Sequence, residues 1–263
     1  MKIFTRLEFY MAFYLARYVN YFQLHNCKIH FAAESRNSIR LIFKEIFLKN
    51  CYDFTESTRV QLAENSKVHF LDLGANIGLA TFRIKRNFPK LKVVCFEASP
   101  VNYALLERNV LDSKQQSINL VNSFLGDGKS KITFRHFHRK PGGSREIQGT
   151  TKKLQDTTHN DFEIDSQKIS SFLHKSSIYV LKIDIEGGEY SLLQELLSTN
   201  SSSLILEIIA EVTIASVESL NSLVNIIQEY EKVGFQFRIL SDYDVKNLRK
   251  RQHQGHLMLS LFR

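Results

Sequence analysis

Phe70-Leu71-Asp72-Leu73-Gly74-Ala75-Asn76-Ile77-Gly78 joins an apolar run to a glycine-bearing turn and then to a helix-forming stretch. Val68 to Leu73 suits a strand buried on both faces, as parallel sheets demand. Gly74 can take backbone angles closed to other residues and lets a ligand approach the main chain. Gly78 lets the following helix pack close to the strand. Leu79 to Phe88 reads as that helix, its free amide N–H groups facing a ligand, and Pro89 marks its end. The glycines are spaced G-x-x-x-G, unlike the dinucleotide fingerprint G-x-G-x-x-G, and Asp72 stands two residues before the first. A carboxylate there repels a pyrophosphate and suits a ligand bearing an ammonium or sulfonium charge. The alternative is an ordinary strand-turn-helix corner with no ligand.

The next strand, Lys92 to Glu97, also ends in an acid, and Glu97 lies 19 residues beyond Gly78. That is close to the ~20-residue spacing at which an acid after the second strand reaches ribose hydroxyls in nucleotide-binding α/β folds. A carboxylate can accept from both hydroxyls, each bond contributing on the order of 1.5–3 kcal/mol. Ser99 reads as a helix N-cap and Pro100 as the first residue of a helix reaching Val110. Further on, Tyr179 to Glu189 repeats the pattern of buried strand, terminal acid, glycine turn and helix. Ligands in open α/β sheets sit beyond the carboxyl ends of the strands, so Asp72, Glu97 and Asp184 are expected to gather at one edge. Glu207, closing the apolar strand Leu204-Ile205-Leu206, is expected on the same rim.

Three segments resemble the FkbM-type methyltransferases, a branch of the class I S-adenosylmethionine (SAM) enzymes. They are D-x-G-A-N-x-G at Asp72 to Gly78, F-E-x-x-P at Phe96 to Pro100, and L-K-I-D-I-E-G at Leu181 to Gly187. The likeness covers residues 65–240. Where the family usually reads F-E-P-N-P, this chain has Phe96-Glu97-Ala98-Ser99-Pro100, which keeps the acid and alters the turn. Glu163-Ile164-Asp165 is a loose match to the family's T-L-D-like stretch. The resemblance implies a Rossmann-like α/β fold: a mostly parallel seven-stranded sheet, helices on both faces, and an antiparallel last strand. It implies SAM as cofactor, with Asp72, Gly74, Ala75, Asn76 and Gly78 around the methionine moiety. Glu97 and Ala98 would serve the ribose, Ser123 at the end of the third strand the adenine, and Asp184 the reacting end.

Methyl transfer to a hydroxyl requires alignment, which can supply ~7–11 kcal/mol, and removal of a proton by a base or a metal-assisted route. Asp184, Glu186 and Glu207 are the candidate bases. Asp184 could equally position SAM or the acceptor. No metal site is expected: Cys27, Cys51 and Cys95 show no C-x-x-C spacing, and the pairs His136/His138 and His253/His256 read as surface histidines. No G-x-S-x-G or P-loop string occurs, which sets hydrolases and kinases aside. A non-catalytic protein that keeps the fold stands as the other function class.

Length and composition allow one α/β domain, residues 61–263, with a helical extension over 1–60. With 43% hydrophobic and 24% charged residues the chain has the balance of a soluble globular protein. Three unpatterned cysteines fit a reducing, cytoplasmic setting, with a Cys27–Cys51 bridge left open. Phe9 to Ala16 is the longest apolar run, eight residues, against ~20 for a membrane span. Arg6, Glu8 and Arg17, and the lack of an A-x-A-like site, argue against a signal peptide. Phe4, Leu7, Met11, Tyr14, Tyr18 and Tyr21 recur three and four apart, so residues 1–24 read as an amphipathic helix that packs on the domain or a second subunit, or lies on a membrane surface.

Net charge is +8, concentrated at 129–153, where eight basic residues face only Glu146. Pro141-Gly142-Gly143 within it predicts a hairpin or mobile loop. It reads as a lid for an anionic acceptor, as a phosphate-contacting strip for RNA, or as a solvated loop. RNA ranks last, because only Phe134 and Phe137 are suited to stacking on bases. The acceptor expected is a small molecule or a glycan. Helices are predicted at Ser166–Lys175, Glu189–Ser198 and Val217–Val233, and closing strands at Phe235–Leu240 and His256–Phe262.

Overall fold

A computed structural model describes residues 3–24, 27–128, 131–139, 145–146, 158–185, 187–241 and 255–263. The chain starts with helix α1 (Ile3–Leu15), a hairpin of β1 (Tyr21–Leu24) and β2 (Cys27–His30), helix α2 (Arg36–Phe43) continuing into a π-helical turn (Lys44–Leu48), and α3 (Glu56–Glu64). Strands and helices then alternate: β3 (Val68–Leu73), α4 (Leu79–Asn87), β4 (Lys92–Glu97), α5 (Pro100–Ser113) and β5 (Ile118–Asn122). Short strands follow, β6 (Phe124–Leu125), β7 (Ile132–Phe137), β8 (Arg145–Glu146), β9 (His159–Ile164) and β10 (Ser166–Gln167). The alternation resumes with β11 (Ile178–Ile183), α6 (Glu189–Ser198), β12 (Ile205–Ile214), α7 (Val217–Lys232), β13 (Gln236–Ser241) and β14 (Gly255–Phe262).

Seven strands make the main sheet, in the order β5-β4-β3-β11-β12-β14-β13. β14 runs antiparallel to both its neighbours, and the other adjacent pairs are parallel. The expected class I methyltransferase architecture is therefore present. Alternation along each strand feeds two cores. Phe70, Val93, Cys95, Val180 and Ile209 pack under α4 and α5, while Leu71, Leu73, Phe96, Leu181, Ile183 and Ile208 pack under α6 and α7. Burial on both faces is why these strands read as continuous apolar runs. The chain leaves β3 toward β4 and leaves β11 toward β12, so the direction of winding reverses between β3 and β11. That is where an open α/β sheet leaves a crevice beyond its carboxyl ends.

The helix starts follow local chemistry. Ser99 Oγ accepts from Asn102 N with Pro100 in the first turn, as predicted, and Ser216 and Ser219 form a reciprocal cap at α7. The first helix packs inward through Phe9, whose ring meets Phe47 at 5.0 Å, and Phe43 stacks between Phe22 and Phe47 at 4.1 and 4.4 Å. This aromatic wedge belongs to the same apolar cluster as β3 and α4. The three cysteines are free, so no Cys27–Cys51 bridge forms.

Three sequence expectations change. The helix expected over residues 1–24 stops at Leu15, and Tyr21–Leu24 instead pairs with Cys27–His30 as a hairpin. Ser166 to Lys175 is not an α-helix: Ser166 and Gln167 pair in parallel with Phe124 and Leu125, and only a 3-10 turn, Ile169–Phe172, follows. Those ladder bonds hold Ser166 and Gln167 extended, and the weak helix formers Ser170 and Ser171 leave no more than one short 3-10 turn. The strand expected to end at Leu206 runs on to Ile214, because its β-branched residues continue and stay buried.

Candidate active site

Beyond the carboxyl ends of β3, β4 and β11 lies a cavity of about 710 Å³, within the ~300–1,000 Å³ range of small-molecule sites. Gly74, Ala75, Asn76, Glu97, Ala98 and Ser123 line one end. Asp184, Glu211, His256 and Met258 line the other. The N-terminal extension supplies a wall: Asn37, Ser38, Leu41 and Ile42 of α2, then Glu45, Cys51 and Tyr52. The sequence reading gave this extension no part in the site.

The turn after β3 is fixed by backbone and by two acids. Gly74 N and Ala75 N both donate to Phe96 O, at 3.0 and 2.8 Å. Gly74 sits at φ +80°, and a Cβ there would fall 1.8 Å from the carbonyl oxygen of Asp184, so only glycine lets β3 and β11 end side by side. Glu97 accepts from Asn76 N at 2.7 Å and from Ser99 N at 2.9 Å. Burial pushes its carboxyl up to about 7, against the pull of those two amides. Asn76 Oδ1 is buried without a partner. An unpaired acceptor and a carboxylate with spare lone pairs, beside the small Gly74 and Ala75, form a cradle that fits a nucleoside with an amino-acid tail. Ser123 Oγ, on the cavity wall, donates to Asp165 O and Phe124 O at 3.0 and 3.1 Å, so it can serve a further partner only as an acceptor.

Asp72 does not reach the cavity wall. It is fully buried and paired with Lys182 Nζ at 3.0 Å, while Thr81 Oγ1 donates to it at 2.6 Å. The charge read as awaiting a cationic ligand is met by an internal cation. Lys182 lies opposite Asp72 in the β3–β11 register. Its Nζ donates to Gly74 O at 2.7 Å and lies 3.6 Å from Asp184. Burial alone would lower its pKa, but the carboxylates of Asp72 and Asp184 outweigh that and hold it above the ordinary lysine value. Lys182 is therefore a fixed positive strut. Gly78 is likewise off the cavity: it caps α4 at φ +94°, and a Cβ there would collide with Leu106 and Phe82.

At the far end, Tyr52 donates its hydroxyl to Asp184 Oδ2 at 3.3 Å. Burial and then the Asp184 charge hold the phenol well above its usual pKa, so it stays a donor. Cys51 is pushed up to about 12 by burial and by Glu45, Asp184 and Glu211, which keeps it an uncharged thiol. His256, read from sequence as a surface residue, lines the cavity with Nδ1 3.5 Å from Glu211 Oε1. His136 is also not on the surface: it is buried against Ser99 Oγ at 2.9 Å, and burial lowers its ring to about 4.

Glu207 is at the wrong end of its strand to join this group. It pairs in register with Val180, amino-terminal to Lys182, and is fully buried. Its carboxylate accepts from Thr55 N at 3.0 Å and Ser260 Oγ at 2.6 Å, with Arg238 at 3.4 Å. Because β12 extends to Ile214, its rim acid is Glu211. Glu186 lies outside the described residues. Of the hairpin or mobile loop expected over the basic segment, the described residues show β7 paired antiparallel with β8, and β9 from beyond the segment pairs with β7 as well; Arg135 makes a bidentate pair with Asp161 at 2.7 Å, and most of 140–157 lies outside the described residues.

The Methyltransferase FkbM domain matches residues 72–237. Methyltransferase sdnD of Sordaria araneosa is 26% identical over 194 residues, 64% of this chain and 72% of that protein. Methyltransferase 1 of Beauveria bassiana (strain ARSEF 2860) is 25% identical over 174 residues, 60% of this chain and 67% of that protein. The crystal structure of M. jannaschii TYW2 in complex with AdoMet aligns at 10% identity over 92% of this chain and 85% of that one, with a TM-score of 0.44. With more than half of its length matched by that domain, the chain belongs to the FkbM family of methyltransferases, whose methyl donor is S-adenosylmethionine.

Proposed function

We propose that the protein transfers a methyl group from SAM to a hydroxyl of a small molecule or a glycan. One observation carries this reading: the far end of the cavity is lined by proton acceptors, Glu45, Asp184, Glu211 and His256. A hydroxyl can both donate to such a wall and lose its proton there. The nearby cation, Lys182, is taken up by Asp72, Asp184 and Gly74 O, so this end favours a neutral polyol or phenol over an anionic acceptor.

SAM supplies an electrophilic methyl whose leaving group is a neutral thioether. The chain's own residues bind, align and deprotonate. Glu97, Asn76 and Ser123 hold the nucleoside, and Gly74 and Ala75 leave room for the tail. Asp184, shared between the Tyr52 hydroxyl and the Lys182 ammonium, is better placed to hold the acceptor than to take its proton. His256, whose Nδ1 lies 3.5 Å from Glu211 Oε1, is the candidate left to take the proton.

Two measurements test the reading. Calorimetric titration with SAM should show binding; none at millimolar ligand removes the cofactor assignment. Transfer of labelled methyl from SAM, screened over phenols, sugars, lipids and RNA, should label a hydroxyl compound. Label appearing only in RNA bases would overturn the acceptor class.

A further inference from the structure

Helix α1 is apolar on two opposite sides. Its inward side is Phe9, Ala12 and Ala16, spaced i, i+3, i+7 and fully buried. Its outward side is Leu7, Met11, Tyr14 and Leu15, spaced i, i+4, i+7, i+8, and Tyr18 just beyond the helix extends it. These five are between 51% and 80% exposed. At 100° per residue the outward stripe is centred opposite the buried one. A surface helix of a soluble domain carries polar residues there, so the stripe calls for a partner.

Charge identifies that partner. Residues 1–50 hold eight lysines and arginines against three glutamates, a surplus of five out of the chain's eight. Arg6 and Arg17 fall along one edge of the outward stripe, and both are exposed. The Arg17 guanidinium lies 5.1 Å over the Tyr14 ring. Glu8, the acid within α1, is turned aside into a pair with Arg86 at 2.7 Å. The outward side is thus apolar and aromatic with a cationic edge and no carboxylate. Tyrosines favour the water–lipid boundary, and arginines attract anionic headgroups. α1 is 13 residues long, about 20 Å, which is shorter than a ~30 Å hydrocarbon core. No described helix is long and apolar enough to cross a membrane.

We propose that α1 docks the protein flat on an anionic membrane surface, with Leu7, Met11, Tyr14, Leu15 and Tyr18 in the interface and Arg6 and Arg17 on the headgroups. This goes beyond the methyl-transfer reading and does not depend on it. The test is sedimentation of the full chain with vesicles of phosphatidylcholine alone and with about 30% phosphatidylserine. The expected result is binding to the serine-lipid vesicles that weakens in about 0.5 M salt. The double variant Leu7→Ser/Met11→Ser should lower it about tenfold or more, and Arg17→Glu should lower it with no change in apolar surface. These side chains are exposed, so SAM titration of each variant should match the parent and report an intact fold. Four results would overturn the proposal: no binding to either vesicle, equal binding to both, binding unchanged in the double variant, or a salt-stable dimer that the double variant abolishes. The last would assign the stripe to a second copy of the chain.

Discussion

The two ends of the cavity are built differently. The end proposed to hold the cofactor is made of consecutive residues: Gly74, Ala75 and Asn76 on one turn, Glu97 and Ala98 on the next. The end proposed to take the acceptor is made of single residues from distant parts of the chain, namely Tyr52 from the extension, Asp184 just after β11, Glu211 from β12 and His256 from β14. A contiguous turn has its geometry set by local backbone, so its chemistry travels with its sequence. A wall assembled from four elements exists only once the sheet has formed. Lys182 joins the two ends, since it touches Asp72, Gly74 O and Asp184.

The largest expected effect comes from breaking that joint. Lys182→Met would leave Asp72 buried and unpaired, which costs about 3–5 kcal/mol. Urea unfolding should show a lower midpoint with an unchanged slope. Adding Asp72→Asn should recover much of the loss, because the two residues form one charge pair. Full stability in the single variant would mean that the strut is not what holds the two ends together.

The next effect should separate the ends. Asp184→Asn and His256→Asn should each lower turnover about 100-fold, near 2.7 kcal/mol of barrier, while SAM affinity stays within about threefold. An equal fall in SAM affinity would place these residues in the cofactor end instead.

The same contrast explains how far the sequence could be read. The apolar strands and the turn at Gly74 follow from runs and spacings that a linear sequence displays, whereas the antiparallel β14 was expected only from the family resemblance. Asp72 was visible but its partner was not, because Lys182 reaches it only through β3–β11 register. Glu207 and Glu211 are four residues apart on one strand, and choosing between them needs the strand's true end, which apolar patterning does not mark in a fully buried run. His256 read as a surface histidine beside His253, and its approach to Glu211 exists only across β12 and β14.

Glu97 gives a test internal to the cofactor end. Burial raises its carboxyl to about 7 in the ligand-free protein, and ribose hydroxyls donate to the ionised form, so binding favours loss of the proton. SAM affinity should therefore weaken as pH falls through about 7, with a proton released on binding at pH 6. The same raised carboxyl makes the ligand-free fold less stable as pH rises from about 4.3 toward 7. Glu97→Gln should weaken SAM about 10- to 100-fold at pH 8 and abolish the pH dependence. An affinity that stays flat with pH in the parent would mean that ribose is held elsewhere.

Ser123 should give the smallest effect and the finest distinction. Its hydroxyl has one proton, already directed to Asp165 O and Phe124 O, so it can serve an adenine only by accepting from the amino group. Ser123→Ala removes both roles, and a net hydrogen bond of this kind contributes about 0.5–1.5 kcal/mol, so SAM affinity should fall by no more than about tenfold. The size alone cannot separate direct contact from loosening of the β5–β6 junction. An analogue of S-adenosylhomocysteine without the adenine amino group can. If Ser123 accepts from that amino group, the parent protein discriminates against the analogue and the variant does not; if the hydroxyl only ties the junction together, both ligands weaken equally.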